Sequence, residues 1–124
     1  MKEALRYLEN ARAILRTASI EDNTYTDGKP VQEACGTAYL AVLKAIDGYL
    51  LKKGIDEKEL PQSVDGYREM LRKYLMIHNG KLLKEFDKLY KLLHVAGCYR
   101  GLLEDVTVVK DAIKAAKLFI EKVK

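Results

Sequence analysis

VQEACGTAYLAVLKAIDGYLL, residues 31–51, is the stretch on which the fold of this chain turns. Read at helical spacing it carries two adjacent apolar stripes. Ala34, Ala38, Ala41, Ala45 and Gly48 form a small one, and Cys35, Tyr39, Val42, Ile46 and Tyr49 a large one. Both advance in alternating steps of three and four, which keeps side chains on one helix face. Leu40, Leu43, Leu50 and Leu51 extend the apolar surface, and only Glu33, Thr37, Lys44 and Asp47 leave a narrow polar strip. A helix apolar around most of its girth is covered by more than one neighbour. Residues 31–51 are therefore expected to form the central helix of a bundle.

The flanks give this helix its ends. Pro30 suits its first turn, where a missing N–H costs nothing. Lys52 and Lys53 suit the negative end of the helix dipole, and Gly54 suits a left-handed cap. Upstream, residues 2–19 read as a first helix with the stripe Ala4, Tyr7, Ala11, Ile14 and Ala18, widened by Leu5, Leu8 and Leu15. Glu21 to Lys29 is polar and aperiodic, with Asp27-Gly28, and reads as a solvated loop. Its acids lack the oxygen spacing of a calcium loop.

Downstream, Ser63 is a good N-cap for a shorter helix over 64–78, with Tyr67, Leu71, Tyr74, Leu75 and Ile77 on its apolar side. A fourth helix covers 81–99, with Leu82, Phe86, Leu89, Leu93 and Ala96 as its core stripe, before a break bracketed by Gly97 and Gly101. A fifth covers 105–123, with Val106, Val109, Ile113, Ala116, Ile120 and Val123 inward. No alternating segment is long enough to suggest a sheet, and no internal repeat is visible. The expected fold is all-α: an up-and-down bundle of four main helices plus one short one, in a single domain over residues 1–124.

The chain has 124 residues, 48% apolar and 32% charged, which is ordinary for a folded domain. No uninterrupted apolar run reaches the roughly 20 residues that span a bilayer, and the N-terminus lacks the signature of a signal peptide. No membrane association and a cytoplasmic location are the expectations. Cys35 and Cys98 then read as small buried hydrophobes. The net charge of +4 is unevenly spread. Residues 1–80 hold 12 basic and 12 acidic side chains, whereas residues 81–124 hold 10 and 6.

That basic excess forms two stripes. Lys81, Lys84, Lys88 and Lys91 lie on the fourth helix, and Lys110, Lys114, Lys117 and Lys124 on the fifth. If the two helices are neighbours, Lys84, Lys88, Lys114 and Lys117 are the candidates for contact with nucleic-acid phosphates. The competing reading is a solvated face, since Glu85, Asp87, Asp111 and Glu121 interleave. His94 and Cys98 lie one turn apart, a metal-ligand spacing that Cys35 could extend. Both nevertheless fall in the apolar register of the fourth helix, so a packed histidine is the expected outcome, with no metal and no cofactor. No serine or cysteine has the neighbours of an activated nucleophile.

The pattern of VQEACGTAYLAVLKAIDGYLLKKG resembles the second helix of the HEPN superfamily of small bacterial bundles. KLYKLLHVAGCYRGLLEDVTVVKDAIKAAKLFIEKVK resembles their last two helices. The nearer likeness is to an uncharacterised bacterial HEPN-like family with no assigned activity. The resemblance implies a homodimer and, for some members, a nucleotidyltransferase-like partner. Catalytic members are metal-independent ribonucleases with an Arg, usually a polar residue after it, and then a His, four to six residues lying between Arg and His. Arg72 and His78 meet that bare spacing. However, Lys73 replaces the usual polar residue and the pair falls on the short third helix. The reading is a non-catalytic self-association or binding module. A ribonuclease using Arg72 and His78, or a nucleotide- or nucleic-acid-binding accessory protein, is the alternative.

Overall fold

The computed structural model describes residues 2–76 and 80–123. In order, the elements are α1 (Lys2–Arg16), β1 (Ile20–Glu21), β2 (Thr24–Tyr25), α2 (Gly28–Lys52), a 3-10 turn (Glu57–Glu59), α3 (Val64–Tyr74), α4 (Lys81–Leu89), a π-helical segment (Tyr90–Tyr99) and α5 (Val106–Val123). The fold is all-α apart from the two short strands.

α2 is the hub, packing against α1, the π-helical segment, α5 and α3. Its sequence signals act as expected. Asp27 caps the start by accepting the Lys29 N–H at 3.1 Å. At the other end Gly54 sits at φ +90°. Its N–H and that of Ile55 donate to the Leu51 and Leu50 carbonyls, each at 3.1 Å, closing a Schellman cap. The small stripe Ala34, Ala38, Ala41 and Ala45 is buried, as are Cys35, Tyr39, Val42 and Ile46 of the large one. Burial of each large apolar side chain stabilises by roughly 1.5–3 kcal/mol. Gly48 and Tyr49, where the stripes run out, are only half-buried.

α1 stops at Arg16, short of the expected residue 19, because the chain turns at Thr17 to enter the hairpin. Its buried face is Ala4, Leu8, Ala11 and Leu15, while Tyr7, Ile14 and Ala18 are half-buried at the edge. Ser63 caps α3 by accepting the Gly66 N–H at 3.0 Å. α3 ends at Tyr74, not at 78, because Leu75 leaves helical geometry (φ −127°) and is buried. The Tyr49 hydroxyl donates to the Tyr74 carbonyl at that end (3.3 Å).

Two features depart from the sequence expectation. First, residues 20–25 form an antiparallel hairpin instead of a loop, with Ile20 opposite Tyr25. Asp22 and Asn23 both have positive φ (50° and 56°), the geometry of a two-residue type I′ turn. The hairpin docks on the lead into α5. The Tyr25 N–H donates to the Glu104 carbonyl at 2.9 Å and the Val106 N–H to the Asn23 carbonyl at 3.0 Å. Asp105 holds both sides, accepting from the Asn23 amide and capping α5 at the Val108 N–H.

Second, α4 widens into a π-helix from Tyr90. Its core positions are Leu89, Leu93 and Gly97, in steps of four, so Gly97 takes the place expected of Ala96. The wider turn brings Gly97 against Cys35 of α2, and Gly36 of α2 against Cys98. A Cβ on Gly97 would lie 2.7 Å from the Cys35 Sγ, and one on Gly36 would lie 2.8 Å from the Cys98 Sγ. Each glycine thus receives the thiol of the facing helix. Gln32 closes the end of the segment, its amide donating to the Cys98 carbonyl at 3.0 Å.

Candidate functional site

A cleft of about 700 Å³ opens between the C-terminal half of α1, the hairpin and α5. Arg12 and Arg16 stand one helical turn apart on α1. Lys110, Lys114 and Lys117 follow the three-four spacing on α5. These five cations line the cleft with a single carboxylate, Glu121. Its apolar lining is Leu15, Ala18, Ile20, Tyr25, Ile113 and Leu118. Glu9 pairs with Arg16 at 3.2 Å and with Arg12 at 3.9 Å, and Glu121 pairs with Lys117 at 4.0 Å. Exposed pairs of this kind hold little energy, so an incoming anion exchanges with them at small cost. Among the described residues, Lys110 and Lys114 have no carboxylate within pairing distance.

Tyr25 forms the wall where the hairpin meets α5. It is 5% exposed, and its hydroxyl has no hydrogen-bond partner among the described residues. Burial pushes its pKa up, and the neighbouring Cys35 adds to the shift. The hydroxyl is therefore a neutral group near the core, at a residue that lines the cleft but leaves little surface open to it.

A second, smaller pocket of about 260 Å³ lies beside the π-helical segment. Here the His94 ring stacks on Tyr39 (centroids 5.0 Å apart) and on Tyr90 (5.5 Å). The Tyr67 hydroxyl donates to Asp47 Oδ1 at 2.9 Å. Burial raises the Asp47 carboxyl despite that hydrogen bond. Burial, reinforced by Tyr90, pushes Tyr39 up to about 12. Arg68 bridges Asp87 (2.6 Å) and Asp65 (2.7 Å) while lying over the Tyr90 ring. His94 is thus packed between two tyrosine rings while only half-buried. Among the described residues no group of three metal-ligating side chains occurs. Cys35 is pushed up to about 11 by burial and then by Cys98, which leaves it a thiol at neutral pH.

The residues singled out in the sequence separate. Lys114 and Lys117 line the cleft, whereas Lys84 and Lys88, exposed on α4, do not. α4 and α5 do touch, through the buried rings of Phe86 and Phe119 (centroids 6.4 Å apart) and the ion pair of Lys122 with Glu85 at 2.7 Å. Arg72 is exposed on α3 and paired with Glu69 at 2.6 Å. His78 lies outside the described residues. Missing from the sequence reading were Arg12, Arg16, Ile20 and Tyr25. The i,i+4 spacing of the two arginines was visible, but their place opposite α5 comes from the packing of both helices on α2.

The comparisons with known proteins give a family and assign no activity. No curated protein matches the chain. A solved structure described as a protein of unknown function from Dyadobacter fermentans is similar, with 36% identity and a TM-score of 0.81 over 98% of this chain and 90% of that one. The family model described as Domain of unknown function (DUF5618) matches residues 1–124. The chain belongs to the DUF5618 family.

Proposed function

We propose that this chain is a non-catalytic binding module on a HEPN-like up-and-down bundle of four main helices with α3 as the short one. Its binding surface is the cleft between α1, the hairpin and α5, and its ligand is anionic. The observation that carries this reading is the convergence of five cations on one cleft beside one carboxylate. Such a focused field raises the local concentration of anions. Binding is favoured over catalysis because, among the described residues, the lining has no histidine, cysteine or serine to act as base or nucleophile.

The module also self-associates as a symmetric homodimer, the commonest soluble assembly. A shallow groove between α1 and α2 supports this, with Tyr7 and Ile14 half-buried and Leu40 45% exposed at its edge. A second copy of the chain covers it. In cells the module acts in the cytoplasm, and a nucleotidyltransferase-like protein is a candidate partner on the HEPN resemblance. Light scattering should return twice the chain mass, and Leu40→Glu should return the monomer; a monomeric wild type would reject the dimer.

The binding reading is tested by titration with two anionic probes, labelled single-stranded RNA and decanoate. Saturable binding of either, lost in Lys114→Glu/Lys117→Glu and kept in Lys84→Glu/Lys88→Glu, is the expected result. Equal loss with both pairs, or binding of neither probe, overturns it. RNA cleavage in the presence of a chelator, abolished by both Arg72→Ala and His78→Ala, would replace it with the ribonuclease.

A further inference from the structure

We infer that the ligand of the cleft is a small amphipathic organic anion, with one carboxylate-like head and an apolar body of roughly drug-like size. The inference rests on the reading that the cleft binds anions, and it names which kind. Its first support is the water-facing apolar lining. Ile20 is 52% and Leu118 48% exposed, and both lie in this cleft with Leu15 and Ile113. Inorganic ions and sugar-phosphate backbones gain nothing from such a surface, whereas an apolar body removes it from water. Its second support is the layout of charge. The cations are lysines and arginines at the lining, and side chains of this kind lay their alkyl stems along apolar surface and keep their heads in water. The head of an amphiphile therefore sits at the rim and its body on the floor.

Size and aromatic content decide against a nucleic-acid polymer. About 700 Å³ falls within the range of small-molecule sites. Bases of single-stranded RNA bind by stacking on accessible rings. The single aromatic side chain of the lining, Tyr25, is 95% buried, as its 5% exposure shows, and offers no platform. Tyr99, exposed at 74%, does not line the cleft.

The test is a calorimetric or NMR titration of the wild-type protein with acetate, hexanoate, decanoate and decanol, all below micelle-forming concentrations, and with labelled single-stranded RNA. Decanoate should bind on the order of a hundredfold more tightly than hexanoate, since each buried methylene contributes about a three- to fourfold gain. Acetate should not bind detectably, and neutral decanol should bind about tenfold more weakly than decanoate. Leu118→Gln and Ile20→Gln should weaken decanoate binding, and Lys114→Glu/Lys117→Glu should do so as well. Lys84→Glu/Lys88→Glu should leave it unchanged. Leu118 and Ile20 are about half exposed, so the variants should keep the wild-type circular dichroism. Should one fail to fold, the other and the chain-length series decide.

RNA bound through Lys114 and Lys117 with decanoate ignored would sink this inference and leave the anion-binding reading standing. Binding of no probe would sink both. Decanoate binding indifferent to Lys114 and Lys117, or to chain length, would also reject the inference.

Discussion

Around Gly36 and Gly97, where α2 meets the π-helical segment, the bundle is closed to atomic contact; where α1 faces α5 it is open. The closed seam is built of glycine, cysteine, alanine and aromatic rings, and its two glycines take up the opposing thiols. The open seam has an apolar floor of ordinary quality, but Arg12 and Arg16 on one side face Lys110, Lys114 and Lys117 on the other. Drawing those helices together would desolvate cations against cations, a cost that apolar burial does not offset. The hairpin fills part of the gap and leaves the rest as a cleft. Closure in this chain is thus limited by charge on the rim, not by a lack of apolar surface beneath it.

The sharpest way to break this comparison is to overfill the closed seam. A methyl at Gly97 meets the Cys35 Sγ at 2.7 Å, the Cys35 Cβ at 2.8 Å and the Leu92 carbonyl at 3.1 Å. Gly97→Ala should therefore cost about 2–3 kcal/mol. Cys35→Ala should not rescue it, because the Cβ stays. A urea melt with an unchanged midpoint would show that the seam is loose. Next comes Ala41→Leu. Ala41 is fully buried at the centre of the small stripe, and the larger side chain should cost about 2 kcal/mol by the same measure.

Gly36→Ala tests the other half of the exchange and should behave differently. Its conflict is with the Cys98 Sγ at 2.8 Å, while the Cys98 Cβ is 3.5 Å away. The substitution should cost about 1 kcal/mol in the wild type. In a Cys98→Ala background it should be neutral or stabilising, since alanine exceeds glycine in helix propensity by about 1 kcal/mol. A double-mutant cycle with no coupling would mean that Gly36 and Cys98 do not face each other.

The closed seam was half legible in the sequence. The stripes of residues 31–51 named Ala34, Ala38, Ala41, Cys35, Tyr39 and Val42 as core, because helical period alone sorts them. Ser63 and Gly54 were legible as caps for the same local reason. The π-helical widening was not, since its period departs from the helical template only after Leu89, and Ala96 and Gly97 are both small enough for the core position. The hairpin was too short to show alternation, although Asp22-Asn23 is a residue pair that tolerates positive φ. The open seam was legible only in parts. The α5 lysine stripe was evident, but Lys114 and Lys117 were grouped with Lys84 and Lys88 on the condition that the two helices are neighbours; the helices do touch, yet only Lys114 and Lys117 line the cleft. Their true neighbours, Arg12 and Arg16, are about a hundred residues away along the chain, and spacing carries no information at that range.

The smallest expected effect lies on the boundary between the two regions, at Tyr25, which lines the cleft while its hydroxyl is buried without a partner among the described residues. Removing a buried hydroxyl that makes no hydrogen bond returns its desolvation cost. Tyr25→Phe should therefore leave stability unchanged or raise it by up to about 1 kcal/mol at neutral pH. Burial raises the Tyr25 pKa in the folded chain, so above the ordinary tyrosine value near 10 the unfolded chain gives up this proton while the folded chain keeps it. The folded state then binds more protons, and stability falls as pH rises. Phenylalanine cannot ionise, so the gain from Tyr25→Phe should grow above pH 10. Tyr39 and Tyr67, also raised by burial, keep a residual slope in the variant. Urea melts of both proteins at neutral pH and above pH 10 measure the difference directly. A clear loss of stability in the variant at neutral pH would mean that the hydroxyl has a partner, and that the wall of the cleft is tied to the core more firmly than its contacts show.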